Sequence, residues 1–208
     1  MSRLFFRDRE DDASAIAQRW VVVDCEATGL DLSRARLLSI GAVTLVDGRI
    51  PVNDTFDVRV SQTKPSDRAS IVIHGISPSE QSIGLPPAEA IAAFHAFAAD
   101  SPFAAFHAPF DRQLLEREAI EARLPVASRR WLDLADLLPI LYGDPQRTSL
   151  DDWLAAFAIR HTSRHDALGD AFATAQLLQI ALAEASRHGY DRLGKLLRAA
   201  SARRWLSL

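Results

Sequence analysis

An uncharged apolar run over residues 20–23 is followed at once by two acidic residues, Asp24 and Glu26. A run of β-branched residues without charge predicts a strand that is buried in a covered sheet. In an extended chain, residues i and i+2 point to the same face, so the two carboxylates should lie side by side at the end of this strand. Thr28 and Gly29 follow and predict a turn that allows a close backbone approach.

Two neighbouring carboxylates repel each other, and each raises the pKa of the other unless a positive charge lies between them. A divalent cation supplies that charge, and hard oxygen ligands suit Mg²⁺ or Mn²⁺. Asp-x-Glu is nevertheless a common tripeptide that also occurs in solvated turns. Asp24 and Glu26 alone therefore leave a metal site and a solvated turn both open.

Length and composition indicate one globular domain, because the chain has 208 residues, of which 48% are hydrophobic and 25% are charged. The only cysteine is Cys25, which excludes an intrachain disulfide and favours a reducing compartment. The charged first twelve residues contain no signal-peptide core, and no apolar run has the length of a membrane span. We therefore expect a cytoplasmic protein that has no membrane association.

The hydrophobic pattern predicts an α/β domain whose mixed sheet is flanked by helices. The N-terminal residues 12–19 have weak helical character, and residues 63–78 are predicted to be irregular. The predicted strands are residues 20–23, 37–46, 54–60 and 102–106, the first three forming an antiparallel meander with a hairpin turn at Asp47-Gly48. The predicted helices are residues 87–99, 108–118, 131–141, 150–158, 167–187 and 191–203, the third of them preceded by a short extended piece. The long helix is predicted to bury Leu168, Ala171, Phe172, Ala175, Leu178 and Leu182.

Three later polar residues also stand at the ends of predicted elements. Asp111 follows a buried strand at the start of a helix, His165 lies on a loop, and Asp170 lies in the first turn of the long helix. Each has an ordinary structural explanation, as a helix N-terminal acid or an exposed loop histidine. Together with Asp24 and Glu26, however, they place four carboxylates and one histidine where a rigid scaffold can bring them together.

These residues form an ordered pattern that resembles the three exonuclease motifs of the DEDDh superfamily of 3′→5′ exonucleases. That superfamily includes the epsilon proofreading subunit of bacterial DNA polymerase III, RNase T and oligoribonuclease. The motifs are, in chain order, Asp24-x-Glu26-x-Thr28-Gly29, Phe110-Asp111 and His165-x-Ala167-x-x-Asp170. The resemblance covers residues 18–185, and residues 40–43 and 74–76 look like the family's second strand and its loop near the substrate.

The resemblance implies an RNase H-like fold and a metal-dependent hydrolysis of nucleic acid from its 3′ end. It assigns Asp24, Glu26 and Asp170 to the more tightly bound of two Mg²⁺ or Mn²⁺ ions. Asp24 would bridge to the second ion, Asp111 would support that ion largely through water, and His165 would be the general base. These roles agree with two-metal phosphodiester chemistry and with a histidine that titrates near neutrality.

The same resemblance predicts the residues that contact the substrate. Thr28, Gly29 and Leu30 would lie against the terminal nucleotide, and His74 lies in the loop near the substrate. His107 occupies a position where relatives of the epsilon subunit often have asparagine, and Phe106 replaces the preceding histidine. This departure leaves the metal ligands intact but changes the surroundings of the substrate's 3′ end. Trp131, Tyr142 and Trp153 are predicted to be core residues and not base-stacking platforms.

The predicted organisation is an N-terminal arm or short helix over residues 1–17, an exonuclease domain over residues 18–186 and a basic C-terminal helix over residues 187–208 that packs on the same domain. The predicted partner is nucleic acid with a free 3′ end. Single-stranded DNA is the first substrate hypothesis, and an exoribonuclease or oligoribonuclease of the same fold is the second. A non-catalytic docking module is the third. Residues 204–208 loosely resemble a peptide that binds a sliding clamp, so a clamp or polymerase partner and a helix end packed on its own domain both stay open.

Overall fold

The computed structural model describes residues 12–126, 129–161 and 166–206. Within these residues the strands are Arg19–Ala27 (β1), Leu37–Val46 (β2), Thr55–Arg59 (β3), Phe103–Ala105 (β4) and Trp131–Asp133 (β5). The helices are Arg68–His74 (α1), Glu80–Ile83 (α2), Pro87–Ala98 (α3), Ala108–Glu121 (α4), Leu134–Tyr142 (α5), Leu150–Ala156 (α6), Ala167–Arg187 (α7) and Leu193–Leu206 (α8).

The five strands form one mixed sheet in the order β3-β2-β1-β4-β5. β1, β2 and β3 pair antiparallel, whereas β4 pairs parallel with both β1 and β5. At the predicted hairpin turn, Asp47 and Gly48 both have positive φ, and Val46 and Arg49 exchange two backbone hydrogen bonds. The prediction of an α/β domain with an antiparallel meander and parallel strands is confirmed.

Helices cover both faces of the sheet, so β1 is buried on both sides. Trp20 and Val22 face the core formed with α5, α7 and α8, whereas Val21 and Val23 face the core formed with α3 and α4. Removal of these apolar side chains from water is the main source of stability for such a layered domain. The alternation continues to Asp24, whose side chain therefore belongs to the face on which α7 packs.

The backbone at the start of α7 lies directly on β2 at Gly41. Gly41 pairs with Asp24 across the β1–β2 ladder, and a methyl group on Gly41 would overlap the backbone of Ala167 and Leu168. A glycine in a strand interior often marks such a close approach. The Asp166 carboxylate caps the helix by accepting a hydrogen bond from the Gly169 N–H at 3.2 Å.

The prediction that residues 63–78 are irregular is wrong, because they contain helix α1. The Asp67 side chain accepts a hydrogen bond from the Ser70 N–H at 2.8 Å at the start of this helix, and Gly75 ends it with a φ of 69°. These two caps satisfy backbone groups at both ends of a seven-residue segment whose β-branched residues do not favour a helix.

The prediction of a helix over residues 131–141 is wrong at its start. Residues 131–133 form β5, which pairs with the whole of β4. The helix begins only at Leu134 because the Asp133 carboxylate accepts a hydrogen bond from the Ala135 N–H at 3.0 Å and so acts as the N-cap. Trp153 is fully buried, as predicted for a core residue.

For residues 1–17 the sequence predicts an arm or a short helix. The described residues 12–18 form turns and one isolated bridge from Ser14 to Arg192 and no helix, and residues 1–11 lie outside the described part. On α7, Ala171, Ala175, Leu178 and Leu182 are buried as predicted, but Phe172 is 36% exposed and Leu168 is only partly buried. Both side chains line an open groove beside β3, and Leu168 also packs against the core.

Helix α8 packs on the same core as α5, with Leu193, Leu196 and Ala200 buried. Residues 207–208 and the side chains of residues 203–206 lie outside the described part, and the clamp-binding prediction falls on them. Among the helices that the structure describes, none combines the length and the apolar character that a membrane span needs.

We predict that Gly41→Ala destabilises the protein by about 2 kcal/mol or more, because the added methyl group meets backbone that cannot rotate away. Chemical denaturation monitored by circular dichroism measures this change. Gly29→Ala is the matched control, since a methyl group added at Gly29 would have nothing within 4 Å of it. Equal stability of the Gly41 and Gly29 variants would contradict the close approach.

Candidate active site

Three carboxylates meet at the end of β1. Asp24 and Glu26 lie on this strand, Asp170 lies on α7, and one oxygen of each lies within 4.8 Å of the others. Asp170 is buried and the two strand residues are half-buried. The strand alternation places Asp24 and Glu26 on one face, and the approach of α7 at Gly41 brings Asp170 to that face. The structure therefore brings together three of the four predicted acids.

The chemistry of this group fits a divalent cation. Three carboxylates at such distances repel one another, and their partial burial removes the water that would screen them. A hard cation reverses this repulsion and takes oxygen ligands by preference. The group supplies only oxygen atoms, so it matches the ligand set of such a cation and not that of a soft one.

Asp111 lies on the other side of β1 and outside the group of three. It stands in the first turn of α4 and is buried, and its Oδ1 accepts a hydrogen bond from the Cys25 N–H at 2.9 Å. β1 pairs with β4 only as far as Val22, so Asp111 occupies the edge that β4 leaves free. Burial raises the pKa of the Asp111 carboxyl group to about 8, although the hydrogen bonds from Cys25 oppose this shift. Any water-mediated contact of Asp111 with a second ion stays a prediction.

Cys25 lies between the two strand carboxylates but points into the core against α3 and α4. Burial raises the pKa of its thiol well above the ordinary value, and the negative charges of Asp111 and Asp24 raise it further. A thiol of this kind stays protonated and is a poor nucleophile. Cys25 is therefore a packing residue whose backbone N–H fixes Asp111.

The loop after β1 forms one wall of a groove of about 640 Å³. Thr28 anchors this loop, because its N–H donates to the Arg36 carbonyl at 3.0 Å and its hydroxyl accepts from the Arg36 N–H at 2.9 Å. From α4, Arg117 donates to the carbonyls of Leu32 and Ala35. Leu30, by contrast, is 88% exposed at the groove.

The groove carries more cationic than acidic side chains. Its lining includes the predicted residues Thr28, Gly29 and Leu30, as well as the cations Arg34, Arg36 and Lys64 and the acids Asp31 and Asp67. Two of these cations already have partners, since Arg34 lies 3.9 Å from Asp31 and the Arg36 guanidinium donates to the Lys64 carbonyl at 2.5 Å. Lysine and arginine side chains suit contact with backbone phosphates, and the exposed apolar side chain beside them suits contact with a base.

Two predicted substrate residues are histidines at helix ends. His107 is exposed at the N-terminus of α4 in a left-handed conformation, with a φ of 63°. The Asp133 carboxylate accepts a hydrogen bond from its N–H at 3.0 Å and thereby holds this unfavourable backbone in place. His74 is the last residue of α1, and its side chain lies outside the described part. His165 also lies outside it, so its role as base stays a prediction.

Sequence reasoning missed two residues that shape the site. Gly41 allows the approach of α7, and the signal for it was a glycine within an otherwise apolar strand. His161 lies 3.2 Å from Asp170, measured from Nε2 to Oδ1. No sequence pattern pointed to this contact, because His161 lies on the loop before α7, outside the three recognised motifs.

Comparison with known proteins agrees with the family resemblance of the three sequence motifs. A family model described as "Exonuclease" matches residues 21–178. The chain is 31% identical over 185 residues to a DNA polymerase III subunit epsilon-like protein of Rhodobacter capsulatus, covering 86% of this chain and 26% of that one. It is 29% identical over 178 residues to a PolC-type DNA polymerase III of Streptococcus suis, covering 85% of this chain and 12% of that one.

Solved structures show the same fold. Exonuclease I of E. coli in complex with a dA16 oligonucleotide has a TM-score of 0.72 at 16% identity, over 82% of this chain and 42% of that one. A zinc-bound form of its complex with single-stranded DNA has a TM-score of 0.71. The chain thus spans about a quarter or less of the curated relatives and less than half of these structures. The likeness confirms the RNase H-like fold.

We predict that Asp111→Asn stabilises the metal-free protein, and that this advantage grows as the pH rises from 5 to 8. Because the folded state raises the pKa of Asp111 to about 8, that state binds more protons than the unfolded chain between these values. Wild-type stability therefore falls across this range, whereas asparagine does not titrate and still accepts from the Cys25 N–H.

Melting temperatures in EDTA at several pH values measure the effect. Glu89→Gln, at an exposed position in the first turn of α3, is the control for removing a carboxylate. A difference between the Asp111 variant and wild type that stays constant with pH would contradict the raised pKa.

Proposed function

The chain belongs to the exonuclease family of DEDDh-type 3′→5′ exonucleases, and we propose that it is a metal-dependent enzyme that releases nucleoside monophosphates from the 3′ end of single-stranded DNA. The observation that carries this proposal is the convergence of Asp24, Glu26 and Asp170 within 4.8 Å. This convergence supports a cation site at the sheet edge, beside a groove that contains cationic and apolar side chains.

Each carboxylate has a separate role in the proposed mechanism. Asp24, Glu26 and Asp170 would hold the divalent cations, for which Mg²⁺ and Mn²⁺ are the proposed ions, and Asp24 would contribute to both. When bound, such ions polarise the phosphate and lower the pKa of the attacking water. Asp111, which lies outside the group of three, would support a second ion indirectly.

The proton of the attacking water goes to His165 in this proposal. A histidine suits this step because its ordinary pKa lies near neutrality. His165 precedes Asp170 by five residues in the sequence, which is the spacing of the motif that carries the family resemblance. The approach of α7 to β2 supports the placement of the Asp170 carboxylate beside Asp24 and Glu26.

The substrate's terminal nucleotide lies in the groove against Thr28, Gly29 and Leu30 in this proposal. Exposed Leu30 packs against the base, and the cations of the groove contact the backbone phosphates. His74 and His107 contact the same end of the strand. RNA is the alternative substrate, because these contacts do not by themselves distinguish a ribose from a deoxyribose.

We predict that the protein shortens 5′-labelled single-stranded DNA from its 3′ end in Mg²⁺ or Mn²⁺ and not in EDTA. Asp24→Asn and His165→Ala should each lower the rate at least about a hundredfold, because each removes a group needed for metal binding or proton transfer. Gel analysis of the products over time measures both the rate and the direction.

Glu89→Gln is again the control and should digest DNA at the wild-type rate. A matched RNA strand in parallel distinguishes the two substrates by the ratio of rates. Full activity in EDTA, or in the Asp24 variant, would contradict the proposed mechanism. Absence of cleavage of DNA, RNA and short oligonucleotides alike would favour a docking module.

A further inference from the structure

His161 is a buried histidine that contacts a proposed metal ligand from outside the ligand group. It lies on the loop between α6 and α7, and its side chain is 9% exposed. Its Nε2 lies 3.2 Å from Oδ1 of Asp170, whose own side chain is 7% exposed. Both side chains are therefore largely shielded from water.

The ring of His161 has an incomplete set of partners. Among the described residues, neither ring nitrogen has an aligned hydrogen-bond partner, so the 3.2 Å approach to Asp170 is a contact by distance alone. Burial of a polar ring without hydrogen bonds costs free energy, and such groups call for a structural or functional reason. Within the described part of the chain, the carboxylate at ion-pair distance from this ring is that of Asp170.

His161 is not itself one of the clustered ligands. The group whose ligand atoms lie within 4.8 Å of one another consists of Asp24, Glu26 and Asp170, and no ring nitrogen of His161 belongs to it. The contact of His161 is therefore with a carboxylate of the group. In metal sites, groups that contact a ligand from behind fix its orientation, and their loss weakens metal binding.

We propose that His161 is a positioning residue that holds the Asp170 carboxylate in the orientation required for cation binding. The imidazole lies against Oδ1 of a carboxylate that, together with Asp24 and Glu26, forms the group that could hold a metal ion. This inference rests on the metal site of the proposed function. It assigns a role to a residue outside the three motifs that carry the family resemblance.

The test compares two substitutions at this position in the full chain without nucleic acid. His161→Leu keeps most of the volume and removes the ring nitrogens, whereas His161→Gln keeps an N–H donor. We expect His161→Leu to weaken Mn²⁺ binding about 10- to 100-fold and His161→Gln to restore most of the loss. Isothermal titration calorimetry with Mn²⁺ alone gives the dissociation constants.

His188→Leu is the control for removing an imidazole beside a carboxylate, because the more exposed His188 lies 3.2 Å from Glu184 at the far end of α7, away from the three carboxylates. It should bind Mn²⁺ as wild type does. Wild-type affinity in His161→Leu, or a loss in His161→Gln as large as in His161→Leu, would overturn the positioning role and leave the proposed function intact. Failure of the wild type to bind Mn²⁺ would overturn both.

A measurement on the wild-type protein covers the case in which a His161 variant does not fold. Nitrogen NMR of the histidine rings during addition of Mg²⁺ should shift the His161 signals and leave those of His188 in place. Unchanged His161 signals at a Mg²⁺ concentration that saturates the site would overturn the proposal.

Discussion

The contact between the backbone of α7 and β2 at Gly41 is the constraint on which the site depends. Gly41 pairs with Asp24 in the sheet, and its missing side chain leaves room for the backbone of Ala167 and Leu168. Because a helix is rigid over one turn, this single approach sets the distance from Asp170 to the strand carboxylates. A side chain at position 41 would move the helix and separate the acids, even if every acid were retained.

The cluster of acidic side chains at this edge of the sheet lowers the free energy of unfolding. Three carboxylates lie within 4.8 Å, and burial raises the pKa of a fourth, Asp111, to about 8. Apolar layers on both faces of β1 and the long helix α7 offset this cost, which is typical of sites in which function is retained at the expense of stability. A cation that binds only the folded state reverses part of the repulsion.

The sequence predicted features that arise from local periodicity, and it failed where tertiary contacts decide. Strand alternation gave the common face of Asp24 and Glu26, and the bounds of α7 were correct because its apolar pattern spans 21 residues. The short helix α1 depends on the caps at Asp67 and Gly75, and strand β5 depends on pairing with β4, which lies distant in sequence. The contact of His161 with Asp170 likewise depends on a loop path that no period encodes.

Joint binding of a divalent cation by Asp24, Glu26 and Asp170 can be tested by anomalous X-ray diffraction from crystals soaked in Mn²⁺, because the signal locates the ion itself. We predict a peak within about 2.3 Å of an oxygen of each of the three residues, and no such peak in Asp24→Ala crystals. A peak at a different group of residues, or three ordered carboxylates without a peak, would contradict it.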